Sequence, residues 1–276
     1  KTTKTKTKKA SVEEKDGGTE QVMEQVDSTT KKTTTRTVIP KKIVPRRQCP
    51  NLSPADRLVR ILSWNVAGLR GMLKKDAAKQ ELHRILLREK PDIFTFQETK
   101  LQGDHEEQID AELIDMFKPL KYKSFWSHST AKKGYSGVAI FVRQSDSTDK
   151  EYNPLKVLTK DVDELGSINV VAREEGRCIA IELDAFILVA VYVPNSGEDL
   201  KRLGYRIDNW DKDLVSYLND LQTKYKKHVV LAGDLNVAHL DADIYAPKEK
   251  RFLKAAGTTP QERKSFGEFL SAGYVD

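Results

Sequence analysis

From Val59 onward, short apolar runs alternate with amphipathic stretches of ten residues or more. The runs Val59–Leu62, Asp92–Phe96, Tyr122–Trp126, Gly137–Arg143, Cys178–Leu183, Phe186–Val193 and His228–Ala232 read as buried strands. Between them the apolar period lengthens to that of a helix. Asp76 opens such a stretch, which places Ala78, Leu82, Ile85 and Leu86 on one face and closes before Pro91. Glu106–Phe117, Tyr205–Tyr225 and Pro260–Ser271 read the same way, the last opened by Thr259. Only Asp184-Ala185 separates two strands, which predicts a tight antiparallel hairpin. Strands interleaved with helices, one hairpin among them, predict an α/β fold with mixed sheets. No internal repeat interrupts the pattern.

Residues 1–57 lack it. They are rich in Lys and Thr, poor in large apolar side chains, and broken by Pro40, Pro45, Pro50 and Pro54. Such a stretch buries too little apolar area to offset its ordering entropy, so a disordered tail is expected, with the folded domain over 58–276. Charge divides at the same place. Residues 1–50 hold 13 Lys and Arg against 6 Asp and Glu, a net of +7 in a chain of +6, which leaves the remainder at −1. A basic arm on a balanced domain suits an anionic partner, nucleic acid more readily than membrane because the arm has no apolar face; a solvated extension with no partner is the alternative. The segment Pro40–Arg47 has the composition of a nuclear import signal. Nuclear residence is the expectation, with an organelle as the second choice. Two cysteines, Cys49 and Cys178, make no disulfide framework, and Cys178 falls in an apolar run as a small core residue. No stretch approaches the length of a membrane span.

Four polar clusters ride on the ends of these runs: Ser63-Trp64-Asn65, Gln97-Glu98-Thr99-Lys100, Tyr192-Val193-Pro194-Asn195 and Gly233–His239. Side chains placed just past the carboxyl ends of strands in α/β sheets tend to meet in one crevice. Their oxygens, with almost no His or Cys, suit a hard cation such as Mg²⁺. Asp234 and Asn236, two apart, project to one side of an extended chain and can face one phosphate, Asp234 as a water-activating carboxylate and Asn236 as an amide donor. Tyr192 can donate to a leaving oxyanion, whereas a phenolate base would need its pKa to fall far below ~10. Taken singly, each has a plainer reading. Asp-x-Asn and Asn65 are ordinary turn formers, Glu98 can pair with Lys100, and Tyr192 can be a sheet tyrosine. Their joint placement at four strand ends favours metal-assisted phosphodiester chemistry.

These blocks resemble the exonuclease III family of apurinic/apyrimidinic (AP) endonucleases. Leu62–Arg70, Gln97–Lys100, Gly134–Val138, Tyr192–Gly197, Gly233–His239 and Thr259–Arg263 with Phe266-Gly267-Glu268 occur in that family's order. The resemblance implies a four-layer α/β sandwich with two mixed β-sheets flanked by helices. It also implies Mg²⁺-dependent hydrolysis, with Mn²⁺ able to substitute, of the phosphodiester 5′ to an abasic site in duplex DNA during base excision repair. The resemblance leaves room for a 3′-phosphodiesterase or 3′–5′ exonuclease action beside it, without setting the balance between them. By matching position, Asn65, Glu98, Asp234 and Asn236 form the metal and phosphate set. Tyr192, Asp234 and Asn236 are catalytic, and Arg70, Lys100, Tyr135, Arg177 and Asn195 touch the DNA backbone.

Departures from the pattern accompany the matches. Ala67 stands where many relatives carry a carboxylate or carboxamide, and Glu198 where some carry an Arg that enters the DNA. The family's later Gly-Trp-Arg-Leu-Asp-Tyr and Ser-Asp-His-Cys-Pro blocks, with their catalytic His, do not occur before Asp276. His239 belongs to the Asp-x-Asn block and is no substitute. With Lys1 rather than Met at the start, the expectation is a piece of a longer enzyme, inactive by itself while its parent is active. Two other readings stay open: a relative acting on a different phosphoester, and a non-catalytic nucleic-acid-binding protein. No obligate protein partner is evident from the sequence.

Overall fold

The computed structural model describes residues 58–118, 120–144, 155–247 and 249–276. The predicted tail over 1–57, the Pro40–Arg47 segment and Cys49 lie outside the described residues. Among the described residues, seven strands and seven α-helical segments run in the order β1 (Ile61–Asn65), α1 (Leu69–Leu73), α2 (Asp76–Glu89), β2 (Ile93–Gln97), α3 (Gly103–Met116), β3 (Tyr122–Ser127), β4 (Val138–Arg143), α4 (Val170–Glu174), β5 (Cys178–Glu182), β6 (Phe186–Tyr192), α5 (Leu203–Tyr205), α6 (Asp211–Tyr225), β7 (His228–Asp234) and α7 (Pro260–Ser271).

They form two mixed sheets. The first has the order β1-β2-β4-β3, with β1 parallel to β2 and the other pairs antiparallel. The second, β5-β6-β7, joins an antiparallel hairpin to a parallel pair. Period-2 alternation explains how the sheets stack. In β2, Phe94 and Phe96 face α1, α2 and α3, whose Leu73, Leu82, Leu86 and Leu113 complete that core. Ile93, one residue out of phase, joins Ile140 and Val142 against Ile179, Ile181, Leu188 and Ala190 of the second sheet. The other face of that sheet, through Ala180, Ile187, Val189 and Val191, packs on Trp210, Leu214, Leu218 and Leu221. Three apolar interfaces thus separate four layers, helix–sheet–sheet–helix, as expected. Among the described residues, no helix is long and apolar enough to cross a membrane.

Local expectations hold closely where a cap or breaker is present. The second helix spans Asp76–Glu89 as read, although Asp76 lies in its first turn and Lys75, at the N-cap, donates no side chain to it. The last helix spans Pro260–Ser271 with Thr259 and Glu262 in a reciprocal capping box. The strand bounds shift: β1 begins two residues after the predicted start and ends at Asn65, because its register is set by pairing with Ile93–Gln97. The predicted helix over 205–225 is not continuous. Arg206–Trp210 forms a π-helical turn before α6 begins at Asp211.

Candidate active site

Strand pairing carries on past the strand ends and sets the loops in place. Beyond β1 and β2, Val66 N donates to Gln97 O at 3.0 Å, Gly68 N to Glu98 O at 2.7 Å and Leu69 N to Thr99 O at 3.0 Å. Lys100 N then reaches Ser136 O at 2.8 Å, which draws in the Gly134–Gly137 loop. In the second sheet Val193 N donates to Asp234 O at 2.9 Å. All four polar clusters therefore sit at one end of the two stacked sheets. The non-glycine residues Ala67, Glu98, Lys100 and Asn236 have φ between 48° and 55° there. Side chains rarely adopt that region, and such strain gathers where surrounding structure holds a functional geometry.

The side chains meet across the sheets. Asn65 Nδ2 donates to Glu98 Oε1 at 2.9 Å and to Asp234 Oδ2 at 2.7 Å. The Tyr192 hydroxyl donates to Glu98 Oε1 at 2.8 Å, and Lys100 Nζ pairs with Glu98 Oε2 at 2.8 Å. Asp234 Oδ1 accepts from Asn236 N at 2.9 Å. Asn236 Nδ2 donates to Val193 O at 2.8 Å, and its Oδ1 accepts from Asn195 Nδ2 at 3.1 Å. Burial raises the Glu98 carboxyl, but hydrogen bonds from Lys100, Asn65 and Tyr192 with the Lys100 charge outweigh it, and the group lies below its ordinary value. The Tyr192 phenol moves the opposite way. Burial, the hydrogen bond to Glu98 and that carboxylate's charge push it up, with only Arg177 opposing. Tyr192 is therefore a protonated donor.

Two expected ligands face the site differently from the sequence reading. Asn65 turns its amide nitrogen to the two carboxylates and its oxygen to Ala67 N at 3.0 Å. It offers a cation an oxygen only if the carboxamide turns over and gives up that bond. Asn236 has both carboxamide ends engaged by the loops, its oxygen by Asn195 and one of its two amide N–H groups by Val193 O, so that oxygen is not free for a cation. Beside Asp234 and Asn236 a cleft of about 320 Å³ opens, lined also by His239 and Phe266. The His239 ring stands edge-on to Phe266 at 5.1 Å.

The expected DNA contacts divide into surface and interior. Asn195 and Arg70 are exposed, Arg70 with Nη1 2.8 Å from His105 Nε2. Lys100 and Tyr135 are half-buried. Arg177 is 1% exposed. Its guanidinium pairs with Glu175 and donates to Tyr135 Oη at 2.6 Å and Tyr192 O at 3.1 Å, stacked 4.7 Å over the Tyr192 ring. It braces two site tyrosines from behind, and its burial leaves it no surface to offer a backbone phosphate. Arg202 reaches the same cluster, donating to Tyr135 Oη at 2.9 Å and to Glu175 Oε1 at 3.3 Å. Neither Arg202 nor the buried Arg206 was singled out by the sequence, which has no local pattern that distinguishes an inward arginine from a solvated one.

The sequence profile of the Endonuclease/Exonuclease/phosphatase family matches residues 62–276. The chain belongs to that family. Family members similar to it include an exodeoxyribonuclease of Bacillus subtilis, 37% identical over 219 residues that cover 79% of this chain and 73% of the relative. The DNA repair nuclease APEX1 of Danio rerio is 38% identical over 218 residues, 79% of this chain and 61% of that protein. Among solved structures of the family, an AP endonuclease from Leishmania major superposes with a TM-score of 0.60 at 33% identity, over 78% of this chain and 66% of that one. The chain thus spans about two thirds of the relatives it matches.

Proposed function

We propose that this chain forms the catalytic crevice of a DNA-repair AP endonuclease that hydrolyses the phosphodiester 5′ to an abasic site in duplex DNA. The observation that carries the reading is the convergence of Asn65, Glu98, Tyr192 and Asp234 within 2.7–2.9 Å contacts across two sheets. The names of its relatives, nucleases of DNA repair among them, support it. The likeness to an exodeoxyribonuclease supports 3′-end processing by the same crevice.

The donor set suits a hard divalent cation, since Mg²⁺ is held by one or two carboxylates and completes its shell with water. Glu98 and Asp234 would hold it, and when bound it polarises the phosphoryl oxygen and lowers the pKa of water. Mn²⁺, of similar preference for oxygen, substitutes. This chain's own groups do the rest. Asp234 orients a water and takes its proton. Asn195 and Asn236 donate amide N–H to the phosphate oxygens. Tyr192, held protonated, hydrogen-bonds the oxyanion that departs. Arg70, Lys100 and Tyr135 flank the crevice to grip the backbone of a duplex whose lesion is a missing base, a task that calls for backbone contacts and deformability over sequence readout. The basic Pro40–Arg47 segment motivates nuclear residence, which imaging of a tagged full-length protein checks.

The test is incision of a duplex oligonucleotide bearing one abasic analogue, by the full protein that carries this sequence, with Mg²⁺ and with EDTA, beside Asp234→Ala. Cutting 5′ to the lesion that is lost in EDTA and in the variant is the expected result. Equal cutting of intact duplex replaces the reading by a phosphoesterase of another substrate, and binding without cutting replaces it by a non-catalytic one.

A further inference from the structure

Asn195 and Asn236 reach the crevice on separate loops, one after β6 and one after β7. A phosphate can be held between them only if those loops keep their spacing. Asn236 adds a difficulty, since its φ of 48° is a conformation that a non-glycine residue keeps only when its surroundings hold it there. The two carboxamides touch at 3.1 Å, but Asn195 is exposed and one such bond is a weak restraint.

Behind both loops lies Arg206, 3% exposed. Its Nη1 donates to Pro194 O at 3.1 Å and lies 3.4 Å from Asn236 O, and its Nη2 donates to Leu235 O at 2.8 Å. One planar guanidinium thus takes the carbonyl before Asn195 together with those of Leu235 and Asn236. Its Nε donates to Asp211 Oδ1 at 2.8 Å, and Asp211 Oδ2 accepts from Ser265 Oγ of α7 at 2.7 Å. Arg206 begins the π-helical turn Arg206–Trp210. Such turns are rare and gather at functional sites. The turn runs directly into α6, and it carries a buried cation that reaches both loops.

We propose that Arg206 is the positioning residue of the phosphate-binding pair: it fixes the spacing of the Asn195 and Asn236 loops and thereby acts on the chemical step. Buried behind the loops, it acts through Asn195 and Asn236 and not as a catalytic group itself. This rests on the AP endonuclease reading for the step it serves, and on geometry alone for the loops it holds. Lysine cannot replace it, because an ammonium is a point charge on a flexible stem and lacks the fork that spans three carbonyls.

The test compares the full protein with its Arg206→Lys and Asp211→Asn variants. Single-turnover incision, affinity for the abasic duplex and the ¹⁵N side-chain amide resonances of Asn195 and Asn236 are measured for each. Misplacing a positioned group by about 1 Å costs about 100-fold. Arg206→Lys is expected to lose about 10- to 100-fold in single-turnover rate, with duplex affinity within about 3-fold of the parent. The two Asn amide resonances shift or broaden while the rest of the spectrum is kept. Asp211→Asn, which leaves the guanidinium but removes the charge orienting it, shows a smaller loss of the same kind. An unchanged rate and unchanged resonances in folded Arg206→Lys overturn the proposal; if that variant does not fold, the same result in Asp211→Asn does so. Equal losses in rate and affinity also overturn it, since they mark general scaffolding. If the parent itself spares abasic duplex, the functional reading fails, and the amide resonances still decide whether Arg206 holds the loops.

Discussion

The Tyr192 hydroxyl donates to Glu98 Oε1 at 2.8 Å across 94 residues of chain and between two sheets. The bond works in both directions. It keeps the phenol protonated, because burial and the carboxylate raise it, and it helps keep the carboxyl ionised. Replacing Tyr192 by Phe removes the proton donor with little change of shape. Loss of one such donor to a developing oxyanion typically costs about 100- to 1000-fold in turnover. Single-turnover incision by Tyr192→Phe should fall by that order with duplex affinity preserved, and an unchanged rate would remove Tyr192 from the chemistry.

Lys100 contributes to the same carboxyl by a 2.8 Å pair with Glu98 Oε2. Glu98 lies below its ordinary value, so the stability it contributes is present above the normal carboxylate range and is lost as pH falls through the depressed folded value. Lys100→Met removes one cause of that depression. The Glu98 carboxyl resonance should then titrate at higher pH than in the parent, followed by ¹³C NMR, and the acid limb of stability should move up with it. No movement would show that Asn65 and Tyr192 alone set its acidity.

Arg177 offers a sharper choice between two roles. As a surface contact to DNA, its loss would weaken binding and leave stability alone. As the buried brace seen here, its replacement by Met leaves Glu175 with Arg202 and the Tyr135 hydroxyl alone and removes the donor to the Tyr192 carbonyl. Breaking a buried pair from one side costs about 3–5 kcal/mol. Urea unfolding of Arg177→Met is expected to show a loss of that order.

Cys178 is 7% exposed, and burial pushes its thiol up to about 12. Since the thiolate is the reactive species, native protein at neutral pH should leave Cys178 unmodified by a maleimide while denatured protein is labelled there. Peptide mapping by mass spectrometry distinguishes it from Cys49. Rapid native labelling at Cys178 would mean that β5 opens readily.

Much of the architecture was legible because its signals are local. Phe94 and Phe96 alternate with Ile93 in a five-residue strand, Thr259 and Glu262 close a capping box three residues apart, and Asp184-Ala185 leaves room for nothing but a tight turn. The strand ends moved where pairing set the register, as at β1. The sequence does not distinguish the π-helical turn at Arg206–Trp210 from plain helix, because the apolar period of α6 runs through it without a break.

By itself the sequence determined the alternation of strands and helices, the four polar clusters and their chemical kind, since periodicity and residue type are properties of neighbours. Only the tertiary structure decided which atoms face one another. It turned the Asn65 nitrogen toward Glu98 and Asp234, sent Arg177 behind Tyr192, and placed Arg206 under Asn195 and Asn236. An arginine's side chain is long enough to reach solvent or interior from the same backbone position. Which it does depends on carbonyls and carboxylates brought to it from distant parts of the chain, and no local pattern records them.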